Sequence, residues 1–442
     1  MAGPGGGEWL GELEHPTGDF FRSFAAVATR PGGARAAALD AVLRLTPAVD
    51  WAAYLPHVPH GLLGLWAVLR LRPLLAEGSF LRLLATQLQA FALASRSPAS
   101  RSLGAIGRGS GSWDNLRLAL AQHRPAIAWG EAGAVAAVRR EQFLQLESAA
   151  EPDMANVGHK PVAARSLGDL FRTLGEPQDA GRMLLALAAW QCAAEPCDTF
   201  WHDRARHRLG EAALVPAGAP VLEPGAHLAQ AREICDAGLV ELLDRFSARV
   251  KAGGASGDLL AALALAAAEK QLDARRDLEG KTSWNFVYLA ALAQRARESG
   301  ATAPASWVQA AALVNLFPTG EAEDRPRPAP SPSWPQDLGA GLLDAVLDGE
   351  PQAAMALARE LLGRDGPEPV LKALAEAAAT NDPVFNHSQQ ILAVAAAADL
   401  QEHLPPHARE AVLEALAKSL ANAQGSSDLG RLADAALRKA GA

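Results

Sequence analysis

The segment Asn156–Pro161 reads Asn-Val-Gly-His-Lys-Pro and leads directly into a long apolar stretch. Pro161 suits the first turn of a helix, where its missing N–H costs no hydrogen bond. The apolar residues that follow recur at helical spacing: Val162, Leu167, Leu170 and Phe171. The sequence therefore predicts a helix here, with His159 and Lys160 side by side at its beginning.

The same helical character extends through the whole chain. Its 442 residues are 49% hydrophobic and 20% charged, which is typical of a globular protein. The chain contains only 2 Tyr and 12 Phe, whereas strands favour β-branched and aromatic residues. We predict an all-α protein, an irregular multi-helix bundle with a central metal or substrate pocket. No repeat of fixed period is visible, and the varied element lengths argue against a solenoid.

The helices are predicted to form a single domain over residues 1–442. Residues 1–8 are predicted to be a disordered lead because they are rich in glycine and lack apolar periodicity. Residues 318–336 form a proline-rich internal connection, extended and polar. The helices predicted within residues 337–442 are expected to pack on the same core.

Charge and composition exclude several classes of function. The net charge is −8, and no basic run is present, which argues against nucleic acid as a partner. Three cysteines are too few for a disulfide framework. The N-terminus lacks the features of a signal peptide, and the apolar runs are interrupted before the ~20 residues that span a bilayer. We expect a cytoplasmic protein with no membrane partner.

Four histidines, far apart in sequence, lie in similar surroundings. Each follows a turn residue or an aromatic residue and adjoins a markedly apolar stretch: His60, His159, His202 and His387. Neutral imidazole is the commonest protein ligand of iron, copper and zinc. We predict that helix packing brings these four rings together around one metal ion, leaving a position for dioxygen. The alternative is that each histidine only begins a helix and has a structural role.

The remaining histidines have plainer explanations. Polar neighbours predict that five of them are solvated: His15, His123, His207, His227 and His403. His403 and His407 are four residues apart, but Pro405 and Pro406 between them prevent a helical i, i+4 pair. The chain also lacks Glu-x-x-His pairs in its apolar helices, which argues against a diiron-carboxylate bundle. The glycine-rich residues 107–111 lack the Gly-Lys-Ser/Thr ending of a phosphate-binding loop.

Three segments resemble the questin oxidase-like family. Gly158–Leu167, followed by Leu185–Trp190, resembles the central histidine segment of that family. Phe385–Leu392 is similar to its late histidine helix, and Pro59–Leu63 to its early one. The resemblance extends over about residues 50–420 of this chain. The chain is also similar to the helical region of some bacterial Rieske-type proteins.

This resemblance implies a helical oxygenase of natural product biosynthesis that acts on aromatic or quinone-like compounds. It implies non-haem iron held by histidines, with a carboxylated lysine as an additional ligand. Lys160 and Lys281 are the candidates, although either lysine can instead reach solvent. Ser166 stands where the family often has a further histidine. The cysteine and histidine ligands of a Rieske cluster are absent, so electrons would come from a separate protein, a diffusible reductant or the substrate.

The predicted site combines these residues. His60, His159, His202, His387 and Lys160 are the predicted metal ligands, and His159, Lys160 and Asp203 are the predicted catalytic residues. Asp203 follows His202 and can orient its imidazole N–H, with Trp201 and Asn156 as further supporting residues. Two other interpretations stay open at this point. One is a non-enzymatic helical scaffold that binds a partner, and the other is a metal-free oxygenase or isomerase with a histidine general base.

Overall fold

A computed structural model describes most of the chain. It covers residues 20–48, 60–94, 109–151, 158–194, 200–273, 283–316, 335–381, 388–423 and 428–440. These residues form 21 α-helices, two short 3₁₀ segments and one two-stranded antiparallel sheet, which confirms the all-α prediction. No helix within the described ranges is both long and apolar enough to cross a membrane.

The helices range in length from 9 to 18 residues. In chain order they are α1 Phe20–Ala28, α2 Gly33–Leu45, α3 His60–Leu71, α4 Glu77–Ala94, α5 Trp113–Ala121, α6 Pro125–Gly133, α7 Arg140–Ala150, α8 His159–Thr173, α9 Gln178–Ala193, α10 Phe200–Leu209, α11 Pro224–Asp236, α12 Leu239–Lys251, α13 Ser256–Asp273, α14 Trp284–Ser299, α15 Pro304–Leu316, α16 Leu338–Leu347, α17 Pro351–Asp365, α18 Pro367–Thr380, α19 Gln389–Leu400, α20 Pro406–Asn422 and α21 Asp428–Ala440. The strands are β1 Val215–Pro216 and β2 Ala301–Thr302, and the 3₁₀ segments are Thr46–Ala48 and Arg72–Leu74.

The chain divides into two compact units. Unit 1 comprises Met1–Cys197, Ala379–Ser388 and Ser426–Ala442, and unit 2 comprises Asp198–Ala378 and Gln389–Gly425. Each unit has its own helical core. Segments from more than one part of the chain contribute to each unit. That both units belong to one domain stays a prediction. The predicted lead at residues 1–8 and nearly all of the proline-rich connection lie outside the described residues.

The two units are built from the same order of helices, which the sequence did not reveal. The α5–α6 corner and the α16–α17 corner have the same backbone geometry. His123 and Gly349 both have positive φ angles, 50° and 70°. The next residues, Arg124 and Glu350, begin α6 and α17 with φ/ψ of −110°/77° and −102°/77°. Their N–H groups donate to Ala119 O and Ala345 O, each over 2.9 Å.

Helix packing extends the correspondence over most of the chain. Within unit 1, α5 packs on α6, and both pack on α9; within unit 2, α16 packs on α17, and both pack on α20. Likewise α3 packs on α8 as α14 packs on α19, and α8 on α9 as α19 on α20. Helices α1–α6 and α8–α10 therefore correspond to α12–α17 and α19–α21, whereas α7 packs on α8 and α9 without a comparable contact of α18 on α19 or α20 among the described residues. Helix α11 is the described helix without a counterpart. We conclude that the fold is an internal duplication.

The last helix of each repeat belongs to the unit of the other repeat. Helix α21 ends the second repeat, yet it packs on α1 and α4 in unit 1. Helix α10 ends the first repeat and packs on α12 and α15 in unit 2. The sequence shows no repeat of fixed period, and the correspondence between the two sets of helices is visible only in their packing. The duplication escapes notice in the sequence because corresponding helices differ in length and share mainly a pattern of small and apolar residues.

Candidate metal centre

His60 and His159 lie close together in unit 1. Each is the first residue of its helix, α3 or α8, and these two helices pack against each other. Gly158 adopts the left-handed conformation before α8, with φ of 74°, a backbone geometry that favours glycine. The two imidazole ring centroids are 6.0 Å apart, with an interplanar angle of 61°. His159 is buried and His60 is partly exposed.

This separation fits two ligands of one metal ion. A metal–nitrogen bond of about 2.1 Å places each ring centroid about 3.2 Å from the metal, so two such rings lie at most about 6.4 Å apart. The observed 6.0 Å falls within that limit. The pair therefore satisfies the first geometric condition for a shared ion, and it consists of nitrogen donors that suit iron, copper or zinc.

Gln87 of α4 connects the histidine segments. Its side chain is fully buried, and its Nε2 donates to Gly61 O over 2.8 Å. Its Oε1 accepts a hydrogen bond of 2.8 Å from Ser388 Oγ. Gly61 follows His60 and Ser388 follows His387, so one amide joins the residues next to two of the predicted ligands. Ser388 itself has an unusual φ of 63° and is buried.

Gly64 makes room for this glutamine. A Cβ atom at Gly64 would lie 2.5 Å from the Gln87 Nε2 atom, closer than van der Waals contact allows. Gln87 can therefore reach the beginning of α3 only because residue 64 has no side chain.

Lys160 is completely buried, which removes the alternative that it reaches solvent. Its ammonium group donates a hydrogen bond to Ala194 O, the carbonyl at the end of α9. A cation is favoured there because helix carbonyls carry partial negative charge. Cys192 Sγ in turn donates to Lys160 O over 3.8 Å. These contacts hold the beginning of α8 against the end of α9.

Two ion pairs join α8, which begins at His159, to α7. Arg165 and Glu147 of α7 form a two-point pair of 2.8 Å contacts, and each side chain is only 3% exposed. Arg140 and Asp169 form a second, less buried pair at 3.1 Å. A Cβ at Gly168 would lie 2.7 Å from Phe143 Cβ, so the two helices are in close contact. His159 is thus the first residue of a helix that two ion pairs and a close backbone approach hold against α7.

Two polar side chains near the end of α9 need further partners. Both polar atoms of the Gln191 amide are buried and have no hydrogen-bond partner among the described residues. The same holds for Trp190 Nε1, whose ring packs edge to face on Trp129. Buried polar groups are costly unless they are hydrogen-bonded, so these groups are suited to bound water or a ligand. Sequence reasoning missed Gln87 and Gln191, because buried glutamines have no motif.

The other predicted site residues belong to unit 2 or lie outside the described residues. His202 and Asp203 lie on α10 in unit 2, where Asp203 is exposed and the His202 side chain is outside the described part. The Trp201 side chain, Asn156, Lys281 and His387 are also outside it. Within the described ranges, no three His, Cys, Asp or Glu side chains are grouped as metal ligands. The four-histidine centre stays a prediction, with two of its members adjacent.

A second histidine cluster lies in unit 2, where the sequence predicted solvated residues. His227 is fully buried, so that prediction is wrong. Its Nε2 lies 2.8 Å from Asp258 Oδ1, and its Nδ1 lies 3.2 Å from His407 Nε2. Burial raises the pKa of Asp258, but the hydrogen bonds from Leu222 N, His227 and Val221 N more than offset this, and the net pKa is lowered. The pKa of His407 is lowered, first by burial and then by His227.

Comparisons with known proteins add no assignment. The chain has no match among models of protein families, among curated proteins or among solved structures.

Proposed function

We propose that this protein is a non-haem iron oxygenase that acts in the cytoplasm on an aromatic or quinone-like small molecule. The observation that carries the proposal is the pair of His60 and His159, 6.0 Å apart at the adjoining starts of two helices. The iron, the class of substrate and a place in natural product biosynthesis rest on the resemblance to the questin oxidase-like family. Dioxygen is the second substrate, and a separate electron donor or the substrate supplies the electrons.

The residues of unit 1 have distinct roles in this proposal. His60 and His159 hold the metal, and His387, which precedes Ser388, is the third ligand as predicted from the sequence. Bound iron would supply the activation of dioxygen for attack on an electron-rich ring. Lys160 positions His159 through its hydrogen bond to Ala194 O. Gln191 and Trp190 provide unused hydrogen-bonding groups for the substrate or for water.

The duplication offers an internal comparison for this assignment. In the second repeat, Gln389 and Gln390 occupy the first two positions of α19, where α8 has His159 and Lys160. Gln390 Nε2 donates to Ala423 O over 2.8 Å, as Lys160 does to Ala194 O. The helix ends are therefore held together in the same way without a histidine. A histidine is not needed for this packing, which favours a chemical role for His159.

Metal analysis and oxygen consumption test the proposal. Protein purified without a histidine tag should contain about one equivalent of iron after anaerobic loading, and H159A should lose it. Oxygen uptake with a hydroquinone should depend on that iron. His227→Ala is the matched control, because it removes a buried histidine of unit 2 and should leave iron binding unchanged. A protein that consumes oxygen without metal would support the metal-free alternative, and one with neither property would support a scaffold.

A further inference from the structure

Unit 2 contains a cleft of about 650 Å³, which lies in the usual size range of small-molecule sites. It is formed by the loop 217–220, the beginnings of α13 and α20, one side of α14, and the turn 402–405. Its accessible apolar lining includes Ala219, Pro220, Pro405 and Pro406, and the buried Leu260, Leu404 and Trp307 also line it. The Trp307 ring is fixed, because its Nε1 donates to Thr302 Oγ1 over 2.7 Å.

The charges at this cleft favour an anion. Arg409 lines it, and its Nε donates to Leu404 O, which orients the guanidinium. The two terminal nitrogens of Arg409 have no partner among the described residues. Arg297 also lines the cleft and pairs with Glu402 at 2.7 Å, and Glu402 is the one acidic residue of the lining. The first turns of α13 and α20 both border the cleft and add partial positive charge.

His403 adds a polar group that lacks a partner. It lines the cleft, and its Nε2 is buried without a hydrogen-bond partner among the described residues. The pKa of His403 is lowered, mainly by burial and then by Arg297, so the ring is neutral near pH 7. A neutral imidazole can donate one hydrogen bond to a bound carboxylate through Nε2.

The walls of the cleft are held by a dense set of hydrogen bonds. Ser256 Oγ accepts from Gly218 N over 2.9 Å, and Asp258 Oδ1 accepts from Val221 N and Leu222 N, also over 2.9 Å. His227 of α11 joins Asp258 to His407, the residue after Pro406 of the lining. Helix α11 is the described helix without a counterpart in the first repeat. Helix α11 thus braces this cleft through His227.

We infer that the cleft of unit 2 is a second binding site, for a small organic carboxylate with an apolar or aromatic body. The carboxylate pairs with the terminal nitrogens of Arg409 and accepts a hydrogen bond from His403. The body of the ligand packs on accessible apolar residues of the lining, Ala219, Pro220, Pro405 and Pro406. This site is separate from His60 and His159, and the inference does not depend on the proposed oxygenase activity.

Calorimetry of the full chain with benzoate and benzamide tests the inference. These probes have the same ring and differ in charge. Benzoate should bind with a Kd near or below about 1 mM, and benzamide at least about tenfold more weakly. Arg409→Gln should weaken benzoate binding by about tenfold or more, because it removes the charged fork. Arg364→Gln, which removes an exposed arginine of α17, is the matched control and should change nothing.

Glu402→Gln keeps the test decisive if Arg409→Gln lowers stability. Glu402 is exposed, and its removal frees Arg297 for the ligand, so benzoate should bind a few fold more tightly. Equal binding of benzoate and benzamide would overturn the inference, as would no detectable benzoate binding. Benzoate affinity that is unchanged in Arg409→Gln, or not increased in Glu402→Gln, would place the ligand elsewhere and would also overturn it.

Discussion

The two repeats share the order and packing of most of their helices, and they differ in the side chains at corresponding positions. At the corner before α6 and α17 the backbone angles and hydrogen bonds agree closely. At the start of α8 and α19 the same contact to the end of the next helix is made by Lys160 in one repeat and by Gln390 in the other. In both repeats, a side-chain hydrogen bond to a carbonyl at a helix end joins the start of one helix to the end of the next. A histidine at the first position of α8 is therefore not required by this packing.

The largest difference in stability is expected at the buried ion pairs. Arg165 and Glu147 in unit 1 are each 3% exposed, whereas Arg359 of the unit 2 pair with Glu414 is 39% exposed. Arg165→Met removes the charged partner that two contacts of 2.8 Å give the buried Glu147 carboxylate, and should cost about 3–5 kcal/mol of unfolding free energy. Arg359→Met should cost less, about 1–3 kcal/mol, because water reaches the Arg359 guanidinium although the Glu414 carboxylate is only 8% exposed. Urea denaturation of both variants measures the difference, and equal losses would contradict this account of α8.

Lys160 of the first repeat can be replaced by glutamine, the residue at the corresponding position of the second repeat. Lys160→Met leaves Ala194 O without its donor and should destabilise the protein by about 1–3 kcal/mol. Lys160→Gln copies the second repeat and should recover most of that loss, because Gln390 makes the equivalent bond. Thermal melts of the two variants make the comparison. If the glutamine variant were no better than methionine, the two helix ends would not be equivalent.

Replacing glycine by alanine should change the stability in opposite directions at two positions. Gly64→Ala pushes against Gln87 and breaks its bonds to Gly61 O and Ser388 Oγ, so we expect a loss of about 1–2 kcal/mol. Gly363 of α17 has open space around it, and Gly363→Ala should stabilise unit 2 by about 0.5–1 kcal/mol. Chemical denaturation measures both. A stabilising Gly64→Ala would show that Gln87 does not hold these segments together.

Much of this architecture could be predicted from the sequence. Composition predicts the helices, and the residues before the apolar runs place His60 and His159 at helix starts, as observed. The His227 cluster could not be predicted, because its partners Asp258 and His407 are 31 and 180 residues away. Polar neighbours in sequence suggested solvent, whereas burial is decided by the helices that pack on His227. The relation of His60 to His159 likewise depends on the packing of α3 on α8.

The pH dependence of stability should come from the histidines of unit 2. The pKa values of His403 and His407 are lowered in the folded protein, mainly by burial, so the unfolded chain binds more protons below about pH 6.5. Their contribution to stability is present above that pH and is lost as the pH falls below it. Melting temperatures measured from pH 8 to pH 5 should therefore decrease with falling pH, and less so in His407→Gln. A melting temperature that rose on acidification would contradict the lowered pKa values.

Titration with Co²⁺ tests the central claim most directly, because it reports ligands without requiring turnover. The wild-type protein should bind about one equivalent with visible absorption bands of an imidazole-ligated ion. The double variant His159→Gln/Lys160→Gln, which gives α8 the residues of α19, should melt near the wild type and bind less than about one tenth of an equivalent. Undiminished Co²⁺ binding by this folded variant would contradict the claim that His159 holds a metal ion.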